Sequence, residues 1–141
     1  MVRILLVEDN PGDAQLVRLA FNDALPSARL SVASDGEAAL ARLNDEGPPD
    51  LLLLDLNLPR LSGHEVLAAV RASEDAALRR LPVVVLSSSQ AESDVTRSYE
   101  LGASSHVAKP DDVDELFARV ETIARYWFGA VTLPGGTAAR R

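Results

Sequence analysis

Four consecutive leucines, Leu51–Leu54, run into Asp55, Leu56, Asn57, Leu58 and Pro59. Successive side chains of a strand point to opposite faces. An unbroken apolar run of this length therefore reads as a strand covered on both faces, the signature of a parallel sheet sandwiched between helices. The run stops on a carboxylate. Asp55 stands where the strand leaves the interior, and Asn57 and Pro59 open a loop. In open parallel α/β sheets, ligands gather at the carboxyl ends of the central strands. Asp55 is thus either a reactive group or a cap for the loop or helix that follows, and the rest of the chain has to decide.

The remaining segments alternate in the same way. Ile4, Leu5, Leu6 and Val7 form a first buried strand ending on Glu8-Asp9. Asn10-Pro11 supplies an N-cap and a first helical residue, and Leu16, Val17, Ala20, Phe21 and Ala24 recur at helical spacing. Leu30 to Ala33 is a second, less buried strand. Ser34 with Glu37, Ser62 with Glu65, and Ser89 with Glu92 have capping-box spacing, and Asp112 with Glu115 caps the last helix. Residues 73–80 read as a loop or loose helical turn. Leu81 to Leu86 is a fourth strand running out into Ser87. Gly102 ends the next helix, and Ser105 to Ala108 is a fifth strand ending on Lys109-Pro110. The last helix carries the stripe Val113, Leu116, Phe117, Val120, Ile123, Ala124 and Trp127. Five strands alternating with helices predict an α/β, doubly wound parallel sheet. We expect the order 2-1-3-4-5, one of the common orders of such sheets, with its site where the first and third strands meet.

With 141 residues, 47% of them hydrophobic, the chain suits one domain with a sizeable core. We expect that domain at residues 1–130 and a partly disordered tail at 131–141. A formal net charge of −7 argues against a nucleic-acid surface or anionic lipid, and favours soluble protein partners or a metal cation. The absence of cysteine excludes disulfides and thiolate chemistry. No run approaches the ~18 apolar residues of a membrane span. Met1-Val2-Arg3 enters a strand with no signal-peptide pattern, so the expected location is the cytoplasm.

The strand ends collect Glu8 and Asp9, Asp55, Ser87 and Lys109. Each alone is ordinary; their convergence is the informative feature. Three neighbouring carboxylates repel unless one keeps a proton or a cation balances them. Oxygen ligands without Cys or His suit a hard ion such as Mg²⁺. With such an ion, Asp55 becomes a nucleophile toward phosphorus, giving an acyl phosphate. Lys109 and Ser87 then serve the remaining phosphoryl oxygens.

Glu8-Asp9, Asp55-Leu56-Asn57-Leu58-Pro59, Gly63, Ser87 and Lys109-Pro110 together closely resemble the receiver domains of two-component response regulators, over about residues 3–128. The resemblance implies a flavodoxin-like fold in which Asp55 accepts phosphate from a sensor histidine kinase. It implies Mg²⁺ held by Asp9, Asp55 and the backbone carbonyl of Asn57, with Glu8 assisting through water. Lys109 would pair with the phosphoryl group, Lys109-Pro110 would be a cis peptide, and Ser87 would move toward the phosphate. The family usually has an aromatic three residues before the lysine, where this chain has His106. That histidine is either an exposed strand residue or part of the switch. Asn10-Pro11-Gly12-Asp13, Ser62 to Val66, residues 73–80 and Tyr126-Trp127 are similar to the small response regulators paired with bacterial phytochromes.

The expected output is a protein contact or phosphoryl relay, without enzymatic turnover. Tyr126 and Trp127 suggest a homodimer through the last two helices and the fifth strand; the other reading has Trp127 capping the core. Competing functions are an aspartyl-phosphate phosphohydrolase, a flavodoxin-like binder and a receiver-like scaffold that is never phosphorylated.

Overall fold

The computed structural model describes residues 2–134. In chain order the elements are β1 (Arg3–Val7), α1 (Pro11–Ala24), β2 (Arg29–Ala33), α2 (Gly36–Glu46), β3 (Leu51–Leu54), α3 (Gly63–Arg71), α4 (Ala76–Arg79), β4 (Val83–Ser87), α5 (Glu92–Glu100), β5 (Ser105–Ala108) and α6 (Val113–Arg125), closed by a π-helical turn at Tyr126–Ala130. The five strands form one parallel sheet in the expected order β2-β1-β3-β4-β5; the alternation by itself predicts the parallel pairing and not the order. Among the described residues, no helix is long and apolar enough to cross a membrane.

The leucine run explains the layering. Leu51 and Leu53 join Ile4, Val17, Phe21, Leu116 and Val120 on one side of the sheet. Leu52 and Leu54 join Leu5, Val7, Leu43, Val66 and Leu67 on the other. All four leucines are 0% exposed, so each contributes about 1.5–3 kcal/mol from burial. Because β3 sits mid-sheet with helices on both faces, it has no polar side, and its first exit from the apolar layer is Asp55.

Local chemistry sets the helix starts, not always as expected. The Asn10 side chain accepts from Asp13 N with Pro11 at the first turn, and Ser62 with Glu65 forms the full reciprocal box. Asp112 accepts from Glu115 N. The Ser34–Glu37 pairing does not form: Asp35 caps α2, its carboxylate accepting from Ala38 N at 2.7 Å. Ser89 does not cap α5 either. Its hydroxyl is taken by Asp94 Oδ2 at 2.5 Å, and the helix starts after Ala91 without a side-chain cap. The 73–80 segment holds the one-turn α4. Val113 drops out of the buried stripe: it is the first residue of α6 and stays 47% exposed. Trp127 packs partly buried against the first layer, while Tyr126 is 54% exposed. Of the expected tail, residues 135–141 lie outside the described residues.

Candidate functional site

Parallel register lines up the strand ends. Val7 pairs with Leu54, Leu54 with Val85, and Ser87 with Ala108. The ladder runs one residue past β1 and β3: Glu8 N donates to Ala33 O at 3.0 Å, and Asp55 N to Val7 O at 3.1 Å. Lys109 N donates to Ser87 O at 2.9 Å. These main-chain bonds fix the acids and the lysine before any side-chain contact is made.

Glu8 and Asp55 are buried, and Asp9 is exposed at the rim. Each offers a carboxylate oxygen, and the three atoms lie within 4.8 Å of one another. Lys109, the one lysine of the sequence, reaches in from β5. Its Nζ donates to Glu8 Oε1 at 2.6 Å, and lies 3.4 Å from Asp13 Oδ2 and 3.8 Å from Asp55 Oδ2. Burial works against the ammonium, but the hydrogen bond to Glu8 and the charges of Asp55, Glu8 and Asp13 outweigh it and hold Lys109 above its ordinary pKa. Burial pushes the Glu8 carboxyl up, and the Asp55 charge adds to this against the pull of Lys109.

The loop after β3 is tightly drawn. Asn57 N approaches Asp55 Oδ1 at 3.5 Å, and Gly63 N donates to Leu56 O at 2.9 Å. A Cβ on Gly63 would stand 2.2 Å from the Asp55 carbonyl oxygen, so only glycine lets α3 start there. Arg60 in the same loop has φ 68°, a left-handed conformation costly for a side-chain-bearing residue. Its guanidinium lies 3.5 Å from Asp35. Ser87, 0% exposed at the end of β4, accepts from Ser89 N at 3.1 Å. His106 is only half-buried on β5. It nonetheless makes side-chain hydrogen-bond contacts with Ser98 and with the Ser89 carbonyl, so it is not a bare surface residue. The Lys109-Pro110 bond is trans, for the described residues contain no cis peptide. This corrects the expectation of a cis bond and follows the intrinsic trans preference of about 0.5–1 kcal/mol before proline.

The donor set fits a small divalent ion. It is all oxygen and anionic, with one member open to solvent, and its span is close to that of opposite ligands on one octahedral ion, about 4.2 Å. A cation there would offset the repulsion that, among the described residues, Lys109 balances.

A family model for the response regulator receiver domain matches residues 4–121. The chain belongs to the response regulator receiver family. The receiver is 42% identical over 137 residues to Response regulator Rcp1 of Synechocystis sp., with 93% of this chain and 92% of that protein covered. It resembles the crystal structure of the phosphorylated cyanobacterial phytochrome response regulator RcpA with TM-score 0.89 and 38% identity, over 95% of this chain and 99% of that one. For the Mn²⁺-bound form of Rcp1 the TM-score is 0.87 and the identity 40%, over 96% and 100%.

Asp13 stands out in the sequence only as part of the Asn10 to Asp13 motif, not as a partner of Lys109. It sits in the first turn of α1, where its backbone N donates to the capping Asn10 side chain and its carboxylate faces Lys109. The roles of Ser98, which meets His106, and of His64, which meets Ser98, also escaped the sequence reading, because the cluster brings α3 to α5 and β5 from more than thirty residues away.

Proposed function

We propose that this receiver takes a phosphoryl group from a sensor histidine kinase onto Asp55. The observation that carries this reading is the buried Asp55 carboxylate, clustered with two further acids and faced by the only lysine. An Asp55 carboxylate oxygen attacks phosphorus, and the bond from phosphorus to the donor's imidazole nitrogen breaks. The electron pair leaves with that nitrogen, which then takes a proton. Lys109 pairs with one phosphoryl oxygen and Ser87 donates to another. Asp9, Asp55, the Asn57 carbonyl and Glu8, the last through water, would hold Mg²⁺. When bound, the ion neutralises charge on the transferring group.

Receiver membership points to a histidine kinase. Likeness to the cyanobacterial phytochrome response regulator RcpA favours a bacterial phytochrome as that kinase. The setting is the cytoplasm, where such kinases present their phosphohistidine. The receiver acts as an acceptor and relay or contact switch, not as a turnover enzyme. Output runs through protein contact, including a homodimer on the β5–α6 face, where Tyr126 stands exposed beside Trp127. His106 stands in the switch position.

Incubation with acetyl phosphate and Mg²⁺, followed by intact-mass analysis, tests the reading. A gain of about 80 Da in wild type, lost in Asp55→Asn, is expected. No gain, or the same gain in the variant, overturns it. Turnover of p-nitrophenyl phosphate would favour a phosphohydrolase instead.

A further inference from the structure

The sequence has two histidines, and both turn toward one hydroxyl. His64 Nε2 on α3 and His106 Nδ1 on β5 each lie 3.0 Å from Ser98 Oγ on α5. Ser98 is 0% exposed. The other His106 nitrogen, Nε2, lies 3.2 Å from the Ser89 carbonyl. Ser89 N in turn donates to Ser87 Oγ. An unbroken hydrogen-bonded chain therefore runs Ser87, Ser89, His106, Ser98, His64, from the end of β4 to the first turn of α3.

Counting protons gives the chain a direction. The Ser89 carbonyl only accepts, so His106 Nε2 carries a hydrogen. With His106 neutral, its Nδ1 is an acceptor, and Ser98 must donate its single proton there. Ser98 then gives up its 3.0 Å contact with the Asp94 carbonyl, and accepts from His64, whose hydrogen must also sit on Nε2. In this arrangement both rings take the Nε2–H form, and every member of the chain has a partner.

We propose that Ser98 and His64 are positioning residues of the phosphorylation response. They hold the His106 ring against the Ser89 carbonyl, and through it they hold the β4–α5 loop with the Ser87 hydroxyl turned to Ser89 N. The proposal rests on the reading of Asp55 as phosphoacceptor. When Ser87 Oγ turns to a phosphoryl oxygen, the bond from Ser89 N breaks and the Ser89 carbonyl leaves His106. The chain therefore favours the resting arrangement, and shortening it shifts the population toward the phosphoryl-bound one. It also carries the change to α3, an element that touches neither Lys109 nor Ser87 in the hydrogen bonds described.

Two measurements on the full chain test this. The first is ¹⁵N NMR of the four imidazole nitrogens at about pH 8, before and after adding beryllofluoride with Mg²⁺. Nε2–H forms for both rings, with His106 signals displaced by the phosphoryl analogue, are expected. Nδ1–H forms, or unmoved His106 signals with the analogue bound, overturn the proposal. The second is beryllofluoride affinity. His64→Ala and Ser98→Ala are expected to bind roughly fivefold more tightly, the equivalent of one net hydrogen bond. His64→Gln, which keeps a donor, returns toward wild type. Unchanged affinity in folded His64→Ala overturns the proposal even if Ser98→Ala fails to fold. If wild type takes neither beryllofluoride nor phosphate, the acceptor reading fails and the proposal falls with it. Phosphate uptake with the wrong ring forms removes the positioning role alone.

Discussion

At Gly63 the fold and the site depend on the same missing atom. A methyl group there would stand 2.2 Å from the Asp55 carbonyl oxygen and 2.7 Å from Leu56 Cα, both main-chain atoms with little room to yield. Gly63→Ala is expected to cost about 2–4 kcal/mol in urea unfolding; a loss below about 0.5 kcal/mol would show that the loop relaxes freely. Lys109 makes a prediction about alkali. Its ammonium is held above the ordinary value despite burial. It therefore stabilises the fold fully below the unfolded lysine pKa, and that contribution is lost as pH rises through the elevated folded value. The stability difference between wild type and Lys109→Met should be flat through neutral pH and narrow in alkali, as read by denaturant titration at several pH values. The acids at the strand ends were legible in the sequence because each terminates an apolar run. The Asp13 contact was not, since it depends on how the first turn of α1 points across to β5.

At the scale of elements, spacing alone misread two helix starts out of four. A serine and a glutamate three residues apart form a box at Ser62 but not at Ser34 or Ser89. In the second case the neighbouring Asp35 is the better acceptor; in the third Asp94 captures the hydroxyl. Sequence spacing cannot rank such competitors. Ser62→Ala is accordingly expected to lose about 1 kcal/mol, while Ser34→Ala stays within about 0.5 kcal/mol, both checked by thermal melts. The strands were read more securely than the helices. A run such as Leu51–Leu54 has only one way to hide both faces, whereas α6 could shed Val113 to solvent without exposing its core stripe. The meeting of His64, Ser98 and His106 was invisible for a related reason: it requires α3, α5 and β5 to be in place first.

For the whole molecule, the clustered acids couple ligand binding to stability. A divalent ion that binds only the folded chain, at a hundred times its Kd, adds about 2.7 kcal/mol. That corresponds to a rise in Tm on the order of 5–10 °C. Calorimetry with and without MgCl₂ should show the rise in wild type and its loss in Asp9→Asn; an equal rise in the variant would place the ion elsewhere. Assembly is the second property of this scale. The groove of Val107, Ile123, Tyr126 and Trp127 beside β5 combines an exposed ring with a partly buried one. Sedimentation should show Tyr126→Ala shifted to monomer with its melting point kept. Trp127→Ala should lose stability as well, because that ring also covers the core. A Tyr126→Ala protein that sediments like wild type would leave the face without a part in dimerisation.

That one ε-amine serves the whole sequence has a practical sequel. An acylating reagent selective for primary amines finds a single side-chain target, and it lies against Glu8, Asp13 and Asp55. An anion resting on that amine shields it. The acylation rate thus becomes a built-in gauge of occupancy, requiring no dye, no tag and no change to the chain.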